Sequence, residues 1–105
     1  MSQFMAYKNT NSSSKKLYPY LLDIQSDFLE LLDTRLVIPL SLKSIFADKA
    51  MKDLTPPISI NGDEYILLTQ QMAAIHKKNL GSFVCDCSEN RHQVLSSIDF
   101  LITGY

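Results

Sequence analysis

Short apolar runs separated by polar stretches dominate the chain, and most of them read as β-strands. The first covers Gln3 to Tyr7. It is followed by "KNTNSSSKK" (Lys8 to Lys16), a low-complexity polar loop too hydrophilic to pack and expected to be mobile. Leu17 to Ile24 forms a second run, and Pro19 within it predicts an edge strand or a bulge, because proline cannot donate a ladder hydrogen bond. "TRLVIPL" (Thr34 to Leu40) is almost continuously apolar, the pattern of a strand buried on both faces. In "SLKSIFADKAMKDL", Leu42, Ile45, Phe46 and Leu54 fall near helical spacing, which predicts a short helix or helical turns that end at Pro56-Pro57. "PISINGDEYILL" carries the clearest local signal. Asn61-Gly62 separates two β-rich runs and readily takes the positive φ angles of a type I′ hairpin. A sixth strand is expected near Met72 to Ile75.

The chain closes on a helix, expected from about Ser88 to Ile102 and started by Asp86 with Glu89 three residues later, a capping-box-like pair. Val94, Leu95, Ile98, Leu101 and Ile102 recur at helical period and predict a buried stripe that docks the end "DFLITGY" on the core. His92, Ser96, Asp99 and Thr103 fall on the opposite face, with Phe100 on its flank. Phe100 and Tyr105 are left over once the stripe is assigned. Aromatics beside a polar stripe fit a binding surface, or they pack on a neighbouring loop; both readings stay open.

Composition narrows the function classes. Ten Lys and Arg face eleven Asp and Glu, a net charge of −1, without the basic excess usual in nucleic-acid binders. With 105 residues, 46% of them hydrophobic, the chain suits one domain (residues 1–105) with a modest core. No stretch reaches the roughly 20 apolar residues of a membrane span, and "MSQFMAYKN" lacks the features of a signal peptide. A cytoplasmic protein is therefore expected, with Cys85 and Cys87 as reduced thiols. One C-x-C pair with His76 and His92 does not have the spacing of a zinc site.

Catalytic patterns are lacking. Gly62, Gly81 and Gly104 are too scattered for a phosphate loop, and neither G-x-S-x-G nor H-E-x-x-H occurs. Asp23 and Asp27 flank "IQS", where aspartates cap or start turns more often than they perform acid–base work. His76 and His92 read as solvated. Arg35 beside Thr34 is by itself a weak signal for phosphodiester cleavage. A binding protein without a cofactor is the expectation.

"LLDIQSDFLELLDTRLVIPL" (Leu21 to Leu40) contains D-I-Q-S-D followed by R-L-V-I-P-L, a pair whose spacing resembles that of the CcdB toxins of toxin–antitoxin modules. The similarity extends to the "QFMAY" opening, the hairpin "PISINGDEYILLTQQMA" and the "ENR" before the terminal helix. What the resemblance implies is a dimeric, SH3-like β-barrel with a C-terminal helix. It further implies a topoisomerase poison of plasmid-maintenance type, which binds the A subunit of DNA gyrase, traps its cleaved-DNA complex and is removed by a CcdA-like antitoxin. Carried over by position, the gyrase-binding residues are Phe28, Leu29 and Glu30, then His92, Ser96, Asp99, Phe100, Thr103, Gly104 and Tyr105. The antitoxin-binding residues are Lys8, Asn9, Lys15 and Lys16. No direct contact with nucleic acid or membrane is implied. Thr103 stands where the best-known member has a Trp that stacks on an arginine of gyrase, and Tyr105 replaces a terminal aliphatic residue. "AIHKKNLG" replaces a V-P-V-type segment, with His76 in place of Pro. Two alternatives follow: an endoribonuclease of the sibling MazF/Kid family, which needs a basic groove and catalytic Arg, Thr or Asp, and a CcdB homologue that has lost gyrase poisoning.

Overall fold

Strand β3 (Thr34–Leu42) is the spine of the molecule, and its near-continuous burial follows from its apolar run. Along one edge it pairs with β2 (Tyr20–Asp23). Along the other, its first half pairs with β6 (Ala73–His76) and its end with β5 (Asp63–Leu67), so one strand is shared by two partners and the sheet curls. β1 (Met5–Asn9), β4 (Pro57–Ile60) and β7 (Leu80–Asp86) complete an antiparallel sheet of order β4-β5-β3-β2-β1-β7, with β6 paired on β3. A four-residue helix α1 (Lys43–Phe46) follows β3, and α2 (Arg91–Thr103) closes the chain. The computed structural model describes residues 2–46, 48 and 50–104. The architecture is mainly β: a curled half-barrel with a C-terminal helix, consistent with the SH3-like barrel expected.

Ala6, Leu22, Ile38, Leu40, Ile58, Ile60, Leu67 and Val94 fill the main core, while Tyr7, Leu21, Val37 and Leu80 form a smaller cluster from the alternate strand positions. The hairpin is as expected. Asn61 (φ 52°) and Gly62 (φ 90°) both lie in the left-handed region, and Ile60 pairs with Asp63 across the two-residue turn.

Several expectations need correction. The first strand begins at Met5 rather than Gln3, because Phe4 takes φ 66° and turns the chain into the sheet; it then runs through Lys8 and Asn9, so the polar loop begins at Thr10. β2 starts at Tyr20 and is flanked on both sides, so it is neither an edge nor bulged. Pro19 sits just before it, where its missing N–H costs nothing and its carbonyl accepts the Asn9 N–H at 3.0 Å. β6 covers Ala73–His76, one residue later than expected. The short helix or helical turns expected over residues 41–54 are found as the helix Lys43–Phe46 and a turn closed by the Thr55 N–H on the Met51 carbonyl, while Ala47 and Lys49 lie outside the described residues.

β7 was not anticipated. Its register against β1 shifts at Ala6/Tyr7 and again at Tyr7/Asn9, so its side chains lose the simple alternation that marks a strand. Gly81 permits the close approach there: a Cβ would lie 2.8 Å from the Lys8 carbonyl oxygen.

The final helical segment starts at Ser88, as expected, but its cap differs. Asp86 Oδ1 accepts the Ser88 N–H (2.8 Å) and the Ser88 hydroxyl (2.6 Å), which supports a 3-10 turn over Ser88–Asn90 rather than a capping box. No return hydrogen bond from Glu89 occurs among the described residues, and α2 proper begins at Arg91. The predicted stripe is only half buried. Val94 and Ser97 are buried and Ile98 partly so, whereas Leu95, Leu101 and Ile102 are exposed, Ile102 by 74%. The reason lies in where the helix docks. It rests on the 3-10 turn Thr69–Gln71 through a buried Thr69–Ser97 hydroxyl pair (2.9 Å), so its first half is anchored and its end projects.

Candidate functional site

The D-I-Q-S-D stretch is a hydrogen-bonded clamp. Asp23, at the end of β2, is fully buried and meets Arg35 of β3, also fully buried, through an Nε–H···Oδ2 contact of 2.8 Å. Its other oxygen accepts the Gln25 N–H at 3.0 Å. Burial pushes the Asp23 carboxyl up, against the pull of the Arg35 guanidinium and the Gln25 amide. The Gln25 side chain then crosses the mouth of the following loop: its amide donates to the Leu29 and Thr34 carbonyls, and its oxygen accepts the Leu36 N–H. Ser26 Oγ accepts the Phe28 N–H, which starts a 3-10 turn over Asp27–Leu29. Asp27 accepts the Gln3 N–H and lies 3.7 Å from the Arg35 guanidinium. Lys77 Nζ donates to the Glu30 carbonyl.

A turn so tethered cannot fold its side chains inward. Phe28 is fully exposed and Leu31 is 92% exposed, with Leu29 and Leu32 each about half exposed. Four large apolar side chains within five residues are thus held in solvent by a polar network anchored on the buried Asp23–Arg35 pair, an exposed apolar patch of the kind that interaction sites present. The resemblance marks Phe28, Leu29 and Glu30 but not Leu31 and Leu32, for which the apolar run "FLELL" in a loop is the signal.

The projecting end of α2 is a second open surface. His92, Ser96, Asp99 and Thr103 are exposed, as their face predicts. Phe100 is half-buried and lines a groove with Met51, Pro56, Pro57 and Ile66, beside His92 and Ser96. For Phe100 this favours packing on a neighbouring loop over free display. Gly104 ends the helix at φ 80°, with its N–H donated to the Phe100 carbonyl and open space around it. Tyr105 lies outside the described residues. Among the described residues no hydrogen bond or ion pair joins the 26–32 turn to α2.

Lys8 in β1, and Lys15 and Lys16 in the loop that follows it, are exposed. Asn9 is used internally: its amide donates to Ser14 Oγ and the Tyr18 carbonyl, and its oxygen accepts the Asn11 N–H. Thr10 ties the loop to the Asn79 carbonyl.

Among the described residues the groups singled out for chemistry are not brought together. Arg35, which a phosphodiesterase would present to its substrate, is sealed in the interior. His76 is exposed and its Nδ1 accepts the Lys78 N–H. No cluster of metal-ligating side chains is present among the described residues, nor any helix long and apolar enough to cross a membrane.

Comparison with known families agrees with what the clamp motif suggests. The family described as CcdB protein matches residues 3–104, nearly the whole chain, from the turn before β1 to the cap of α2. The match takes in the clamp, the exposed turn and the projecting helix together. On that coverage the chain belongs to the CcdB family, toxins of toxin–antitoxin modules.

Proposed function

We propose that this protein binds the A subunit of DNA gyrase, traps it in its cleaved-DNA complex, and is neutralised by a CcdA-like antitoxin. Family membership supports the reading, and the single observation that carries it is the clamped apolar turn Phe28–Leu32, surface built for a protein rather than for a small molecule or nucleic acid. In this reading Phe28, Leu29 and Glu30 contact gyrase with His92, Ser96, Asp99, Thr103, Gly104 and Tyr105, and Phe100 supports them from its groove. Two copies form a dimer through the apolar side chains that the single chain leaves exposed on α2, Leu95, Leu101 and Ile102. Lys8, Lys15 and Lys16 attract the antitoxin, and Asn9 shapes their loop. The protein is a cytoplasmic single-domain inhibitor rather than an enzyme.

A second reading rests on Thr103. A threonine has no ring face to stack on an arginine, which favours a homologue that keeps the fold and antitoxin binding without poisoning gyrase. Controlled expression in cells carrying either wild-type gyrase or a binding-deficient gyrase A variant separates the two. Growth arrest only with wild-type gyrase supports poisoning; no arrest in either, with antitoxin binding retained, supports the second reading; equal arrest in both refutes gyrase as the target.

A further inference from the structure

The Gln25 side chain reaches the exposed turn only at its two ends. It bonds the Leu29 and Thr34 carbonyls and the Leu36 N–H, and makes no bond to the residues between Leu29 and Thr34. That stretch carries Leu31 and Leu32, both exposed. The Leu32 N–H bonds back to the Leu29 carbonyl at 3.1 Å, which curls the segment without tying it to the rest of the molecule. Leucines on a segment held so loosely gain by folding back against apolar surface.

A second hold comes from the far side of the sheet. Lys77 Nζ donates to the Glu30 carbonyl, and the Lys77 backbone N–H donates to the Asp33 carbonyl at 2.9 Å. Leu31 and Leu32 lie between the two acceptors, so one residue brackets the stretch that Gln25 leaves free. Lys77 is itself fixed in place. It opens the 3-10 turn Lys77–Asn79, which His76 caps by accepting the Lys78 N–H at Nδ1, 3.2 Å away. The Thr10 hydroxyl ties the other end of that turn through the Asn79 carbonyl at 2.8 Å. His76 also pairs with Thr34 in the β3–β6 ladder, which sets the bracket directly beside the last residues of the exposed turn. A lysine suits the task, because its long stem carries three donors and no acceptor to a backbone carbonyl.

We infer that Lys77 is a positioning residue for partner binding, which holds Leu31 and Leu32 outward as part of the surface that meets the target. The inference rests on the gyrase reading for the identity of that target, and on the bracket for the positioning. Lys77 bonds the backbone of the turn and leaves the leucine side chains to the partner. A segment already ordered before contact spares the complex the entropy of ordering it.

The test follows amide hydrogen exchange in the intact protein and its binding to the gyrase A subunit. Lys77→Met keeps the aliphatic stem and the backbone N–H but removes the donor at Nζ, Lys77→Arg restores a donor, and the exposed neighbour provides a control as Lys78→Met. In Lys77→Met the amides of residues 31–33 should exchange roughly five- to tenfold faster, the scale of one lost charge-assisted hydrogen bond. Amides of residues 36–40 should keep their rates, and gyrase affinity should fall by a similar factor. Lys77→Arg should return both readouts toward the parent, and Lys78→Met should change neither. Unchanged exchange in Lys77→Met, acceleration that extends equally to residues 36–40, or an arginine variant no better than the methionine one would overturn the bracket. A loosened turn with undiminished gyrase affinity would overturn its part in binding. A parent chain that does not bind gyrase A would refute the target and the binding role together, while the exchange rates still decide the bracket.

Discussion

The buried pair Asp23–Arg35 gives the sharpest test of how this chain is held together. Both side chains are excluded from water and meet at 2.8 Å. Replacing Asp23 with Ala leaves a buried guanidinium whose remaining partners are the Gln25 carbonyl at 3.1 Å and the exposed Asp27 at 3.7 Å. Its Nη1 already lacks a partner. Breaking one side of a buried pair costs about 3–5 kcal/mol, a large part of the roughly 5–15 kcal/mol that holds a domain of this size together. At about 4 °C or more per kcal/mol, the Tm should fall by at least about 12 °C.

Three further variants extend the test. Arg35→Met should cost a similar amount but with a distinct pH signature. Burial already raises the Asp23 carboxyl, and the variant removes the group that pulls it down most. A carboxyl whose folded value lies above its unfolded value contributes stability below the unfolded value and loses it as pH rises through the folded one. The Arg35→Met deficit should therefore be smaller at pH 4 than at pH 7. The double variant Asp23→Leu/Arg35→Met removes both charges and should return to within about 2 kcal/mol of the parent, since apolar replacement of a whole buried pair is often neutral. Asp27→Ala, which touches only the exposed partner, should cost under about 1 kcal/mol. Urea denaturation followed by circular dichroism reads all four. An Asp23→Ala variant within about 1 kcal/mol of the parent, or a double variant no better than the singles, would refute the pairing as the structural centre of the motif.

Helix α2 divides differently from its sequence period: Val94→Ala, inside the core, should cost roughly 2–3 kcal/mol, whereas Ile102→Ala should cost under about 1 kcal/mol in the isolated chain, both by thermal melts. Gly104→Glu should abolish growth inhibition while the isolated chain loses only about 1 kcal/mol, the cost of a side chain at φ 80° with open space around it; unfolding by that variant would refute a recognition role. Cys87 is buried and its thiol is pushed up to about 12, by burial first and by Cys85 second, so at pH 8 iodoacetamide should label Cys85 and spare Cys87 until denaturant is added. The Asp86 carboxyl is held below its usual value by its bonds from Ser88, so the support it gives the 88–90 turn should be present at pH 5 and above and fade as pH falls through and below about 4, seen as faster amide exchange there and absent in Asp86→Ala.

What could be read from the sequence was whatever depends on a few adjacent residues. Asn61-Gly62 fixes its own φ angles, and the apolar run of β3 states its burial directly. β7 escaped because two register shifts break its alternation, and the shifts arise from β1, some seventy-five residues earlier. The stripe of α2 was misjudged for a related reason. Periodicity identifies apolar positions but not how much of a helix has a surface to rest on, and here the core and the Thr69–Gln71 turn support the stretch around Val94, Ser97 and Ile98. Arg35 is the clearest case. Arginines are expected at the surface, and its burial makes sense only once β2 and β3 bring Asp23 beside it.

The clamp also resolves a tension that any small binding protein of this kind faces. Phe28, Leu29, Leu31 and Leu32 would gain by turning inward, since each buried side chain of this size is worth about 1.5–3 kcal/mol. A loose loop would therefore collapse onto the sheet or bind unspecific partners. The Gln25 side chain prevents this by bonding the backbone at Leu29, Thr34 and Leu36, and Gln25 is in turn fixed through its own N–H and carbonyl to Asp23 and Arg35. The desolvation of those two charges is thus set against a fixed backbone rather than against stability alone. Two charged residues placed where aliphatic ones would pack as well are hard to explain by folding. They are accounted for if the turn must remain open, which is why the motif that identifies the family contains so few of the residues expected to touch its target.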